Sequence, residues 1–394
     1  MREEFSFEDL INPVSWTRFV QEYHEKKPLL VKRQDREYFT RILTMDRIND
    51  HLGSADLIYP GVRLVKDANE VSPAQYTYTV TTTPRKSTEG VVDKEKLFSY
   101  LFAGYTVILN SHERHSREVL HLRHLAEKTF GAKAQANIYI TPRGSQGFTP
   151  HWDTHDVFIL QIAGSKQWRI YDSPITLPSK NQLFDGNWDP TLPSLTATLE
   201  AGELLYIPRG YVHDATAEHD QLSIHITLGI KAYTYGDLLR ILLGRLDEEF
   251  FFRRSISIST SVDTSSLSEA VADYITPERV DAAMKEIHGF FLGDRPADVA
   301  DRLRDYLAVD RLTLATELSR RQSTYYEIAT ENGQVVVRFN NKAVRLPAFV
   351  RPSIEFITSN PRFQVGDIAG ALDDQGKMVL CRKLVEEGFL TISG

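Results

Sequence analysis

His151 and Asp153 stand two residues apart, and His213 follows sixty residues after Asp153. Of all the features of this chain, this one most restricts the fold. In an extended strand residues i and i+2 point to one face. His151-Trp152-Asp153 can therefore aim an imidazole and a carboxylate at one point without distorting the backbone. A third group at that point must come from a second strand brought alongside. His213 closes a segment suited to this: Gly202-Glu203, the short apolar run Leu204 to Ile207, and the turn Pro208-Arg209-Gly210. Either segment alone reads more simply as polar surface residues. Together they have the composition of a 2-His-1-carboxylate set, which holds Fe(II) on one face and leaves the opposite face open.

The surrounding pattern supplies such strands. Residues 134–230 read as β throughout, with candidate strands at 134–141, 155–163, 166–172, 195–199, 203–207 and 222–230. Ala163-Gly164-Ser165 predicts a hairpin turn between two of them. Residues 173–194, rich in Pro, Asn, Asp and Ser, read as a loop over a barrel mouth. Many short strands with turn signals imply a jelly roll. At 394 residues the chain can hold one large domain or two to three smaller ones. Cys381 is its only cysteine, which rules out an internal disulfide and suits a reducing cytosol. No apolar run follows Met1-Arg2-Glu3-Glu4, and none approaches the roughly 20 residues of a membrane helix. The expectation is a cytoplasmic protein with no membrane partner. The formal charge of −7 argues against a general polyanion binder.

On either side of the β region the pattern changes. Residues 14–45 read as mixed helix and strand, and 57–110 as mostly short strands, clearest at 76–80 and 105–109. Residues 111–130 predict a helix capped by Ser111 and stopped by Gly131, with an apolar stripe through Val119, Leu122, Leu125, Ala126 and Phe130. Its histidines, His112, His115, His121 and His124, are expected on a solvated face. Helices are expected at 237–253, 265–290 and 296–308, the first more apolar than an exposed helix warrants. Strands follow at 324–347, then helices at 348–358, 365–372 and 375–388, and a short apolar end. The predicted division is 1–235, a β domain with an N-terminal extension; 236–310, helical; and 311–394, a winged-helix-like module. The charges of that module nearly balance, so docking is expected of it and direct nucleic-acid binding is not.

Three features fall in register with the histidines and Asp153. Gln135, Asn137 and Tyr139 alternate with apolar residues, so one strand face is polar. It reads either as a solvent-facing edge or as a face turned into a site, where Asn137 and Tyr139 would hydrogen-bond a small anion. Lys166 shares a face with Trp168 and Ile170. Alone it reads as a surface lysine; turned inward it needs a charge partner, such as the distal carboxylate of 2-oxoglutarate. His225 and Thr227 share a strand face, and His225 reads equally as a core histidine or as a neighbour of the cofactor.

At these residues the chain resembles the JmjC-type, cupin-fold oxygenases dependent on Fe(II) and 2-oxoglutarate, and among them the ribosomal oxygenases. The run from Asn137 through Pro142 and Gly147 to His151 carries the resemblance. Val157 to Gln161, Gly164-Ser165-Lys166-Gln167-Trp168, and Gly202-Glu203 through Ile207-Pro208-Arg209-Gly210 to His213 complete it. The resemblance implies an α+β fold: a double-stranded β-helix core, then a helical dimerisation segment and a winged-helix-like module. It implies His151, Asp153 and His213 as iron ligands, Lys166 on the distal carboxylate of 2-oxoglutarate, and Asn137, Tyr139 and His225 as further cofactor contacts, with O2 as the other co-substrate. An aspartate as second ligand and a lysine at 166 favour hydroxylation over demethylation within that family pattern. The expected protein is a homodimeric hydroxylase of an Arg or His β-carbon in a ribosomal protein. Two alternatives stay open: a hydroxylase of a natural-product precursor peptide or small molecule, and a non-enzymatic cupin binding module.

Overall fold

The computed structural model describes residues 6–54, 56–83, 86–189, 192–258, 261–293, 299–321 and 324–393. It divides into two compact units, Met1–Ala232 and Tyr233–Gly394.

The first unit opens with α1 (Phe7–Ile11), α2 (Trp16–Glu22), β1 (Leu29–Val31), α3 (Met45–Ser54), β2 (Val62–Lys66), β3 (Asn69–Glu70), β4 (Thr77–Thr83), β5 (Lys86–Val92), α4 (Lys94–Phe102), β6 (Thr106–Leu109) and α5 (Arg117–Phe130). The region read as β then follows: β7 (Lys133–Thr141), β8 (Asp156–Ala163), β9 (Ser165–Ile170), β10 (Leu195–Glu200), β11 (Leu204–Ile207), β12 (His213–Ala217) and β13 (Ser223–Lys231). An eight-stranded antiparallel sheet runs β1-β11-β8-β13-β7-β6-β2-β3, and a three-stranded sheet runs β10-β9-β12.

The burial pattern explains the layers. Phe158 and Leu160 of β8 join a core with Phe7, Phe19, Leu122 and Ala126 from the helices. Their neighbours Val157 and Ile159 join a second core with Trp168, Ile170 and Leu199 of the small sheet. The large sheet is therefore covered on both faces, which is why β8 is a continuous apolar run and not an alternating one.

Several expectations need correction. Ala163-Gly164-Ser165 joins β8 to β9 but makes no hairpin, because β8 pairs with β11 and β13 whereas β9 pairs with β10 and β12. The turn carries the chain from one sheet to the other. Gly164 has φ +61, and a Cβ there would lie 1.8 Å from the Leu222 carbonyl oxygen, so glycine is required. Ser111 caps nothing; it is itself left-handed, and Ser116 caps α5 by accepting from the Val119 amide at 3.3 Å. Of the four histidines expected in solvent, His112 and His124 are buried. Helix α4 stands where short strands were expected.

The second unit holds α6 (Tyr235–Leu243), α7 (Thr264–Tyr274), α8 (Pro277–Gly293) and α9 (Arg302–Ala308). The single helix expected over 265–290 is two, with Pro277 opening the second, a position where its missing N–H costs nothing. The expected start of the next helix at 296 lies outside the described residues. Beyond it come β14 (Glu317–Arg320), β15 (Glu327–Glu331), β16 (Gln334–Phe339), β17 (Lys342–Pro347), α10 (Arg351–Ser359), β18 (Arg362–Gln364), α11 (Asp374–Glu387) and β19 (Leu390–Ile392). They form two three-stranded sheets, β15-β16-β17 and β18-β14-β19, around a core that includes Leu318, Val337, Phe339, Ile354, Leu384 and Phe389. Residues 365–372, expected as a helix, hold only a 3-10 turn at Val365–Asp367.

Candidate metal centre

His151, Asp153 and His213 meet. One ligand atom from each lies within 4.8 Å of the others. The backbone sets this up: His151 and His213 face each other in an antiparallel bridge, with the His213 amide donating to the His151 carbonyl at 2.8 Å and the reverse bond at 3.2 Å. The Gly210 amide donates to the Asp153 carbonyl at 3.0 Å. His151 Nδ1 lies 2.8 Å from the Thr149 carbonyl and His213 Nδ1 lies 3.0 Å from the Tyr211 carbonyl. A carbonyl accepts only, so each Nδ1 carries the proton and each Nε2 is left as a bare lone pair. His213 Nε2 lies 3.8 Å from Asp153 Oδ2.

Electrostatics favours the ligating protonation states. Burial, followed by the neighbouring His151, pushes His213 down to about 4 against the pull of Asp153. Burial acts to raise Asp153, but His155, His213 and His151 outweigh it and hold the carboxyl below its ordinary value. Neutral imidazoles and an ionised carboxylate are what a divalent metal needs. The donor set is hard and mixed N/O, and among the described residues it contains no thiolate, which suits Fe(II) or a similar ion.

The three ligands line a cavity of 270 Å³ that also takes in Arg63, Thr106, Tyr139, Lys166, Trp168, His225 and Thr227. Lys166 is 4% exposed. Its Nζ donates to Thr141 Oγ1 at 3.0 Å, and Thr141 in turn lies 3.3 Å from Thr106 Oγ1. Among the described residues no carboxylate pairs with it, and burial alone pushes it down to about 7. A buried ammonium with no counter-ion is a site for an anion. His225 stacks on Tyr139, ring centroids 4.9 Å apart and planes 4° apart, and meets the edge of Trp168 at 5.6 Å. Burial, then Lys166, holds its imidazole well below the ordinary range, so it is neutral. His225 Nδ1 and Trp168 Nε1 are both buried without a hydrogen-bond partner among the described residues. The cavity thus holds an unpaired cation and two unsatisfied polar atoms beside the candidate metal ligands, which fits a polar, anionic co-substrate.

Lys166, Tyr139 and His225 share the cavity with His151, Asp153 and His213; Asn137 does not line it. Asn137 Oδ1 instead accepts from the Ser111 amide at 2.9 Å and from Gln135 Nε2 at 3.2 Å. Sequence reasoning missed Thr141 and Thr106. Thr141 is two residues beyond Tyr139, so the same alternation that selected Tyr139 could have selected it. It also missed Arg63, held by Glu70 at 2.8 and 2.5 Å. Asp214, held 2.7 Å from Arg169 Nε, was overlooked as well. Trp152, between the first two ligands, packs on Phe184 at 4.6 Å and donates to the Gln182 carbonyl at 3.3 Å. Part of the loop over 173–194 is thereby fastened to the ligand segment.

Residues 109–238 match the model of the JmjC domain. Ribosomal oxygenase 1 of Danio rerio is 29% identical over 64% of this chain and 46% of its own length. The Dictyostelium discoideum protein named bifunctional lysine-specific demethylase and histidyl-hydroxylase NO66 is 34% identical over 60% of this chain and 45% of its own. The chain therefore spans under half the length of these curated relatives. Among solved structures, the Escherichia coli ribosomal oxygenase YcfD has a TM-score of 0.56 at 18% identity, covering 96% of this chain and 98% of that one. The same protein in complex with cobalt and 2-oxoglutarate has a TM-score of 0.55 at 17% identity. With its candidate ligand set inside the matched segment, residues 109–238 are identified as a JmjC domain, and the chain resembles the ribosomal oxygenases.

Proposed function

We propose that the protein is an Fe(II)- and 2-oxoglutarate-dependent peptidyl hydroxylase acting on the β-carbon of an Arg or His side chain in a ribosomal protein. The observation that carries the reading is the buried, unpaired Lys166 in the same cavity as His151, Asp153 and His213. A structural metal site needs no such cation, whereas a co-substrate with a distal carboxylate does. His151 Nε2, His213 Nε2 and an Asp153 oxygen would hold the metal and leave its other face open. Lys166 and Thr141 would hold the distal carboxylate, with Tyr139 and His225 forming the wall beside it. Bound iron and 2-oxoglutarate supply activation of O2 coupled to decarboxylation of the co-substrate to succinate. The chain's own share is ligand geometry, orientation of the co-substrate and a cavity walled by Val157, Ile159 and Trp168. The names ribosomal oxygenase and histidyl-hydroxylase among the relatives support the substrate class.

The test is mass spectrometry of peptides from the host's ribosomal proteins incubated with the enzyme, Fe(II) and 2-oxoglutarate. A product about 16 Da heavier, one oxygen atom, is expected at an Arg or His. Co-substrate turnover with no ribosomal peptide modified would remove the substrate assignment and leave the enzyme class.

The helical segment read as 236–310 is proposed to self-associate. Leu303, Tyr306 and Leu307 are 83, 77 and 72% exposed, more apolar surface than a helix in contact with water alone would carry. Light scattering should give twice the 44.9 kDa of one chain, and Leu303→Asp with Tyr306→Asp should return it to one. In this reading the module at 311–394 serves docking. Among the described residues no helix is long and apolar enough to cross a membrane.

A further inference from the structure

His24, Glu25 and Asp156 form a second group whose ligand atoms lie within 4.8 Å of one another. Arg209 gives it a different use. Its Nη1 lies 2.6 Å from Glu25 Oε1 and 3.3 Å from Asp156 Oδ1, and its backbone N–H donates to Asp156 Oδ1 at 2.9 Å. The guanidinium supplies the positive charge that a metal would bring.

The position of this network in the chain is informative. Asp156 follows Asp153 by three residues, and Arg209 precedes His213 by four. The Asp156–Arg209 pair therefore ties together the two loops that carry the metal ligands, alongside the bond from the Gly210 amide to the Asp153 carbonyl. A short N-terminal segment grips the same loops. The Glu25 amide donates to the Tyr206 hydroxyl at 3.0 Å, and that hydroxyl donates to Asp156 Oδ2 at 3.0 Å. The Tyr211 hydroxyl donates to the Lys26 carbonyl at 2.7 Å, and the Tyr211 carbonyl is the acceptor that orients His213 Nδ1. Glu25 itself sits at φ +57, a left-handed conformation that a glutamate rarely adopts and that these contacts hold in place.

We propose that Glu25 and Lys26, acting through Arg209 and Tyr211, are positioning residues for the metal centre: they brace the loops that present Asp153 and His213. The proposal rests on the metal-centre reading above. Outer contacts that orient ligands change metal affinity by about 10–100-fold, and that is the size of effect expected for the brace.

The test uses Co(II) as probe on the full chain, followed by its ligand-field absorption and by calorimetry. Glu25→Gln and, separately, Tyr211→Phe should weaken Co(II) binding by about tenfold or more and shift the ligand-field bands. The melting temperature of the metal-free protein should move little, because Glu25 is partly exposed and Tyr211 loses only a hydroxyl. Glu25→Asp, which keeps the charge, should bind Co(II) more tightly than Glu25→Gln. Unchanged affinity and spectrum in both variants would overturn the brace. So would a second equivalent of Co(II) in the wild type that Glu25→Gln abolishes, since the cluster would then be a metal site. Wild type that takes up no Co(II), or an Asp153→Ala variant that binds it as well as wild type, would overturn the metal-centre reading itself.

Discussion

Asp153→Ala is expected to abolish 2-oxoglutarate turnover and to leave the fold intact. Removing the carboxylate leaves the two imidazoles, and burial already holds His213 well below its ordinary value, so that ring stays neutral without its acidic neighbour. On this reading the metal would lose its one anionic ligand from the candidate protein set. The loss in metal affinity should exceed the roughly 10–100-fold that follows removal of an outer contact. Succinate release with Fe(II) present and Co(II) uptake report the two effects separately. Turnover that survives in Asp153→Ala would sink the assignment of all three ligands.

Lys166→Met should separate stability from function. In the folded protein Lys166 is pushed down to about 7 from an ordinary value of 10.5. A base whose folded value lies below its unfolded value binds protons more weakly when folded, so it destabilises the fold. That penalty is full below about pH 7, fades as pH rises from about 7 to 10.5, and vanishes above. A methionine of similar length removes it. The metal-free variant should therefore melt higher than wild type at pH 6 to 7, with the difference shrinking toward pH 10. The KM for 2-oxoglutarate should rise at the same time. Truncating one partner of a buried charge pair costs about 2–5 kcal/mol, or roughly 30- to 5000-fold. In the wild type the affinity for 2-oxoglutarate should fall as pH rises above about 7, by up to about tenfold per unit, with proton uptake on binding. A variant that melts lower and binds the co-substrate unchanged would show that Lys166 is not the anion anchor.

How much of this was written in the chain depends on how local each signal is. The face that Lys166 shares with Trp168 was legible because strand alternation fixes it along β9, whereas His151 and Asp153 were legible as a spaced pair although they lie in the loop before β8, with only His151 in a β-bridge. The meeting of His213 with His151 and Asp153 was legible, but the strand it opens was not, since Asp214-Ala215-Thr216-Ala217 has no apolar run. Thr141 as the partner of Lys166 depends on β7 and β9 facing each other from different sheets, which no local pattern encodes. The Gly164 turn has the residues of a hairpin, and only the pairing of distant strands shows that it changes sheets. Asn137 has the same parity as Tyr139, yet its amide is taken up by the Ser111 backbone, whose left-handed conformation had no sequence signature. The buried His112 and His124 were missed because their burial comes from tertiary packing: His112 lies in a 3-10 turn ahead of α5 and His124 on α5 itself.

The turn at Gly164 has a consequence for the choice of co-substrate. It sends the chain from β8 into β9 with one residue between them, and Lys166 is the second residue of β9. The proposed anchor for the far end of the co-substrate is thus set by the central strand of the small sheet, while the candidate metal ligands are set by the bridge between His151 and His213. Neither end is free to slide. A cavity built this way acts as a gauge of chain length, and diacids one methylene shorter or longer than 2-oxoglutarate should be rejected by reach alone.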